Sequence, residues 1–249
     1  MGSKTQRHAI SKPMQYSLCL LVLVLGLSSA WLGARLLLAN MHQYRASSFL
    51  SDWEQKRQVP SDKAWQVAED AMTQAIAWYP SANAAYAEQL GYMWQWRGYS
   101  ANTAPAEKQS SQQNALQAFR QATSVRPSWP YAWSGLAYAK MIAGEYDQEF
   151  QQALQQAVHY GPTRIGINRR IAEIGLISWP QLDAEQRALV LEQASRTARY
   201  GRANRTQMFN VAADVGRVEL LCEHLQDGFK PCAPIVETPR TPANSTFAE

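Results

Sequence analysis

Three stretches of this chain share one spacing, and that spacing restricts the fold more than any other feature. Ala115, Phe119, Ala122 and Pro127 follow one another at steps of four, three and five; Phe150, Leu154, Ala157 and Pro162 repeat those steps, and Ala68, Met72, Ala75 and Pro80 show them upstream. Steps of four and three keep each set on one helical face, and a proline five residues on ends the helix because its ring lacks a donor and clashes with the preceding turn. Each set therefore reads as the second helix of a helical hairpin. The small residues let two helices approach, and Phe119 and Leu154 fill the space between hairpins.

The first helices carry their own marks. After Pro127 come Trp133, Leu136 and Ala137, then Gly144 and Tyr146 in a short GEY turn; after Pro80 come Tyr86, Leu90 and Gly91. The combination resembles the tetratricopeptide repeat, which has a period of about 34 residues, an aromatic and a Leu-Gly pair on its first helix and a small-large-small-proline pattern on its second. The resemblance spans residues 60–165 firmly and 166–226 weakly. Ile171 and Ala172 stand there in place of the Leu-Gly pair, and Tyr200, Gly201 and Arg202 where a closing proline belongs. Between the first two hairpins the turn is expanded to RGYSANTAPAEKQSS, an insertion expected to form a loop on one face of the stack.

An apolar segment precedes the repeats. Residues 16–34, YSLCLLVLVLGLSSAWLGA, carry no charge and approach the roughly 20 residues that a bilayer-spanning helix needs. Lys4, Arg7 and Lys12 lie before it with no acid, which favours a cytoplasmic N-terminus. Arg35 is expected to snorkel to the outer interface, level with Trp31. A cleaved signal peptide is the rival reading, with Ser28, Ser29 and Ala30 at the cleavage site. The apolar continuation WLGARLLLAN favours retention, and either way the remainder is exported. Cys19 lacks the small residues just before it that a bacterial lipoprotein site shows.

The expected organisation is all-α: a cytoplasmic N-terminus at 1–15, a transmembrane signal-anchor at 16–39, a juxtamembrane helix at 40–60, a TPR-like helical-hairpin solenoid at 61–226 and a largely disordered tail at 227–249. Tyr44, Leu50 and Trp53 are the apolar contacts expected of the juxtamembrane helix. Ser61 or Asp62 caps the helix that follows it. Further helices are expected near 62–78, 82–97, 110–125, 129–143, 146–160, 163–177, 183–200 and 204–226, with a break near Gly216. Cys222 and Cys232 flank HLQDGFKP; in an exported chain such a pair reads as a disulfide pinning the last helix.

Net charge excludes little by itself. The formal +4 comes from Lys4, Arg7, Lys12 and Arg35, so from residue 41 onward basic and acidic residues balance and nucleic acid is not the expected partner. Signs of catalysis are missing: no phosphate loop, HExxH or GxSxG elbow occurs. His159 sits where a cation suits a helix C-terminus, and Asp183 and Glu185 where acids suit a helix start. No cofactor or metal is expected.

Two features are suited to binding. Trp78, Tyr79, Tyr86, Tyr92, Trp94, Trp96 and Tyr99 cluster in sequence, and Trp96 and Tyr99, beside the insertion, are the rings expected to be exposed and able to stack on sugars. Arg164, Arg169, Arg170, Arg196, Arg199 and Arg202 belong to a basic stretch of the later half, in which Arg196, Arg199 and Arg202, at steps of three, fall on neighbouring positions of one face. The planar guanidinium fork suits carboxylates or phosphates, whether in an acidic glycan, anionic lipid heads or an acidic protein segment.

One anchor carrying a small exported repeat domain, with motifs such as LQAFRQATSVRPSWPYAW, resembles the VpsP-type accessory proteins of bacterial exopolysaccharide biosynthesis. The resemblance implies a non-catalytic scaffold in the inner membrane, facing the periplasm and contacting a polymerase, flippase or synthase. A scaffold for secretion, pilus or division complexes, or a direct glycan-binding module, shares these features.

Overall fold

The computed structural model describes residues 12–99, 104–225 and Cys232, and all its secondary structure there is helical, with no strand among the described residues. The expectations for residues 1–11, and for the tail apart from Cys232, lie outside the described residues. Two compact units divide the chain, Met1–Val125 and Arg126–Glu249.

Unit one contains α1 (Lys12–Lys56), α2 (Asp62–Trp78), α3 (Ala84–Gly98) and α4 (Pro105–Val125). The expected anchor and juxtamembrane helix are one continuous α1, because neither glycine nor proline interrupts the chain between Gly33 and Pro60. Its first half is exposed and apolar; its second half buries Ala39, Ala46, Leu50 and Trp53 against α2 and α3. Tyr44, expected as a contact, is 74 % exposed instead, on the face turned away from that packing.

The helix α2 starts where its cap dictates: the Ser61 hydroxyl accepts from the Ala64 amide at 3.3 Å. It runs antiparallel to α3, with Arg97 bonded to Asp62 at one end and Tyr79 packed edge-on against Tyr86 at the other. The Trp65 indole donates to the Met93 carbonyl at 3.3 Å and its ring lies 4.7 Å from Trp94, so this layer is held by aromatic packing and one buried hydrogen bond. Between α3 and α4, Phe119 stands directly over Gly91: a Cβ there would lie 2.7 Å from the ring.

The expected insertion loop is largely helix. Pro105 opens α4 at a position where its missing donor costs nothing, and the AEKQSS residues that follow propagate the helix instead of a loop. Arg97, paired with both Asp62 and Glu107, ties the new turns back to α2 and α3.

Unit two contains α5 (Pro130–Ala143), α6 (Gln148–Tyr160), α7 (Ile165–Ser178), a 3-10 turn (Trp179–Gln181), α8 (Ala184–Tyr200), α9 (Arg202–Asp214) and α10 (Val218–Leu225). α5 pairs with α6 and α7 with α8, while α7 also packs on α5 and α9. Gly144 ends α5 in the left-handed conformation (φ 72°), and Asp147 starts α6 by accepting from the Phe150 amide at 3.1 Å. In α7, Gly175 gives Val190 of α8 its seat; a Cβ there would lie 2.1 Å from a valine methyl. Gly201, with φ 155°, breaks the chain between α8 and α9 at the place where the repeat pattern lacks its proline. Asp183 caps α8 in a reciprocal box with Gln186, and Glu185 lies in the first turn. The break near Gly216 separates α9 from α10, and Cys222 and Cys232 are joined as a disulfide.

Candidate functional site

Most residues expected at the repeat core are buried. Ala68, Met72, Ala75, Gly91, Ala115, Phe119, Ala122, Leu136, Leu154 and Ala157 are all shielded, with Phe119, Leu136 and Leu154 at 1 % exposure or below. Leu90 and Trp133 are half-buried. Trp133 faces partly outward because its indole donates to the Pro127 carbonyl at 2.6 Å, bonding the start of α5 to the proline turn before it.

The aromatic cluster divides by depth. Tyr86 is buried, while Tyr92, Trp94 and Trp96 are half-buried against the core of unit one. Trp96 meets Tyr99 edge to face at 5.8 Å, and Tyr99 is 42 % exposed. The ring most open to a partner is therefore Tyr99, supported from behind by Trp96.

The arginines of unit two are largely engaged with the protein itself. Arg164 lies 5.7 Å from the Trp129 ring centroid and 5.8 Å from that of Tyr131, and Arg170 lies over Tyr138 at 4.9 Å. Arg169 donates to Asn204 at 3.3 Å and pairs with Glu173 at 3.8 Å, while Gln207 donates to Glu173 at 3.0 Å, so these side chains stitch α7 to α9. Burial pushes the Glu173 carboxyl above its ordinary range, with Arg169 and Arg170 pulling back. Arg196 reaches the Pro162 carbonyl and Glu192, both at 2.6 Å. Arg202, at the start of α9, is exposed. The sequence gives these residues as a basic stretch; the structure gives four of them packing or bridging work within unit two.

Two features escape sequence reasoning. Lys140 has only 1 % of its side chain exposed, yet its ammonium bonds Glu145 at 2.9 Å, Asp147 at 2.8 Å and Glu149 at 2.7 Å. Burial alone lowers its pKa, but the three carboxylates more than offset this and hold it above the ordinary lysine range. The signal was present as acids five, seven and nine residues downstream, across the turn that Gly144 makes.

Arg35 is the second. In place of free snorkelling, its guanidinium donates to the Trp78 carbonyl at 3.0 Å and the Ala77 carbonyl at 3.4 Å. Those are carbonyls that the end of α2 leaves without helical partners, at the negative pole of its dipole. No periodicity announces a contact between residues so far apart in the chain.

Among the described residues no group of three or more His, Cys, Asp or Glu side chains could hold a metal ion. α1 is the one helix among them long and apolar enough to cross a membrane. Left exposed at the surface are the Tyr99 ring, Arg202 at the start of α9 and the apolar half of α1. No protein-family model matches the chain, and no curated protein matches it either.

Proposed function

We propose that this chain is a non-catalytic scaffold, anchored by α1 in the inner membrane of a bacterium, whose TPR-like hairpins hold protein partners on the periplasmic side. The observation that carries the proposal is the continuity of α1: its exposed apolar half runs without a break into the half that packs against α2 and α3. Repeat character is supported by two hairpins that each seat an apolar side chain of one helix over a glycine of the other, Phe119 over Gly91 and Val190 over Gly175. The Cys222–Cys232 bridge favours an oxidising compartment, and the basic start of the sequence favours a cytoplasmic N-terminus.

Polysaccharide assembly is the pathway we favour, on the resemblance of architecture to exopolysaccharide accessory proteins. Cross-linking the anchored protein in cells and identifying what co-purifies tests this reading. Capture of a polysaccharide polymerase, flippase or synthase supports it; capture of secretion, pilus or division components moves the scaffold to another envelope complex. Direct glycan binding, weakened by Trp96→Ala and Tyr99→Ala, replaces the protein-scaffold reading with the glycan module. Thiol labelling of the denatured, unreduced protein checks the compartment: only Cys19 should react.

A further inference from the structure

We propose that the pole of unit one formed by the α2–α3 turn rests in the headgroup layer of the bilayer that α1 crosses. The inference deepens the anchor reading and rests on it. From Pro13 through Ala34 α1 carries no charge, about 33 Å of helix, which matches a hydrocarbon core and puts Arg35 at its boundary. Trp31, one turn below and 61 % exposed, fits the same boundary. Because Arg35 is bonded to the Ala77 and Trp78 carbonyls, the end of α2 is held at that depth too.

The sequence at this pole suits such a depth. No charged residue occurs from Ala71 through Ala87, which covers the last turns of α2, the turn itself and the start of α3. Trp78 and Tyr79 stand at the turn, half-buried, with Pro80, Ser81 and Ala82 exposed beside them. Aromatic rings with one polar atom concentrate at this level of a bilayer. Asn83, Tyr79 and, from α4, Gln121 line a shallow groove on the same pole, where the nearest α4 charge is Arg120.

At the opposite pole the composition reverses. Asp52, Lys56, Arg57, Asp62 and Lys63 surround the α1–α2 turn, and Arg97 pairs there with Asp62 and Glu107. A turn without charge beside the span, with Arg35 and Arg120 at its margin as interfacial cations, and a densely charged pole remote from it make the polarity of a body seated on a membrane. The turn itself, from Tyr79 to Asn83, carries no charge and needs no anionic lipid, so phosphatidylcholine is a sufficient partner.

The test uses the full chain reconstituted in phosphatidylcholine vesicles, with nitroxide labels and collision measurements against oxygen and a water-soluble nickel chelate. In a Cys19→Ser background, a label at Ser81→Cys is expected to lose most of the chelate collisions shown by a label at Gln58→Cys on the charged pole. Equal chelate exposure at the two positions overturns the docking inference. A label on native Cys19 reports the anchor separately: oxygen-rich and chelate-poor if α1 spans. If Cys19 is chelate-exposed, the anchor reading and the docking inference fall together; if Cys19 is protected and Ser81 is not, only the docking fails.

Discussion

The two units are built from helices of similar length but stabilised differently. Unit one holds its layers with rings and sulfur: Trp53, Trp65, Met72, Tyr86, Met93 and Phe119 are buried. Unit two buries the rings of Phe150 and Phe209 too, but its interior is dominated by branched aliphatic residues such as Leu136, Leu154, Ile167, Ile171, Ile174, Leu176 and Val190. Its guanidinium groups lie over aromatic rings at its periphery, and one ammonium is enclosed. The comparison teaches that one hairpin pattern leaves the choice of glue open. Rings and sulfur fill the layers of the first, branched aliphatic chains those of the second, and both add a cation over a ring at the edge, Arg97 over Trp65 and Arg170 over Tyr138.

Phe119→Ala is the sharpest way to break this contrast. Removing a fully buried ring above a glycine leaves a cavity that α3 and α4 cannot close, and should cost about 3–5 kcal/mol. Hydrogen exchange should rise across α3 and α4; an equal rise throughout unit two would mean that the two units do not differ as described.

Next comes Lys140→Met, which strands three carboxylates around a buried site. Because those carboxylates are themselves 32–56 % exposed, the loss should be about 2–3 kcal/mol, below that for a fully enclosed pair, as read by thermal or urea unfolding. Burial tends to raise the Asp147 pKa, but the Lys140 and Phe150 hydrogen bonds hold it below its ordinary value. Its contribution is therefore present above the ordinary aspartate value near about pH 4 and lost as pH falls through the folded one. For Lys140 the shift is upward, so its contribution is complete below about pH 10 and lost only as pH rises through the folded value. The acid-side fall in melting temperature should flatten in Lys140→Met.

Gly91→Ala and Gly175→Ala apply the same lesion to both units. The gain in helix propensity, about 1 kcal/mol, opposes overpacking of about 1–3 kcal/mol. Gly175→Ala should be the worse, since its Cβ would meet a β-branched valine at 2.1 Å and Gly91→Ala a ring at 2.7 Å. Comparable melting temperatures would show that valine moves as easily as phenylalanine.

Gln193 is wholly buried in α8, and its amide nitrogen and oxygen have no hydrogen-bond partner among the described residues. Gln193→Met should stabilise unit two by about 1 kcal/mol. Smallest of all, Arg170→Gln removes a cation from the Tyr138 ring and should cost about 0.5–1 kcal/mol, measured by urea unfolding.

Legibility in the sequence followed the range of the interactions. α2 was readable to the residue because Ser61 and Pro80 act within one turn of its ends. The start of α4 is hidden in the sequence because proline reads as a breaker, although Pro105 stands at a first helical position, where it is harmless. Phe119 and Gly91 of the first seat are readable in the repeat pattern, Gly175 and Val190 of the second are not, and the depth of Trp133 depends on a single indole hydrogen bond that no spacing encodes. The arginine face illustrates the same limit: Arg196, Arg199 and Arg202 share a face by spacing, yet Arg196 is committed to the Pro162 carbonyl across the fold. Lys140 was passed over because its neighbours in sequence are apolar and its three acids lie beyond a turn.

α1 has a mechanical consequence. Its 45 residues form a rod about 67 Å long, and above Gly33 no flexible joint interrupts it before it fuses with the hairpins. A rod without a joint is a lever: under the anchor proposed above, any tilt of the apolar portion would carry the attached unit through the same angle.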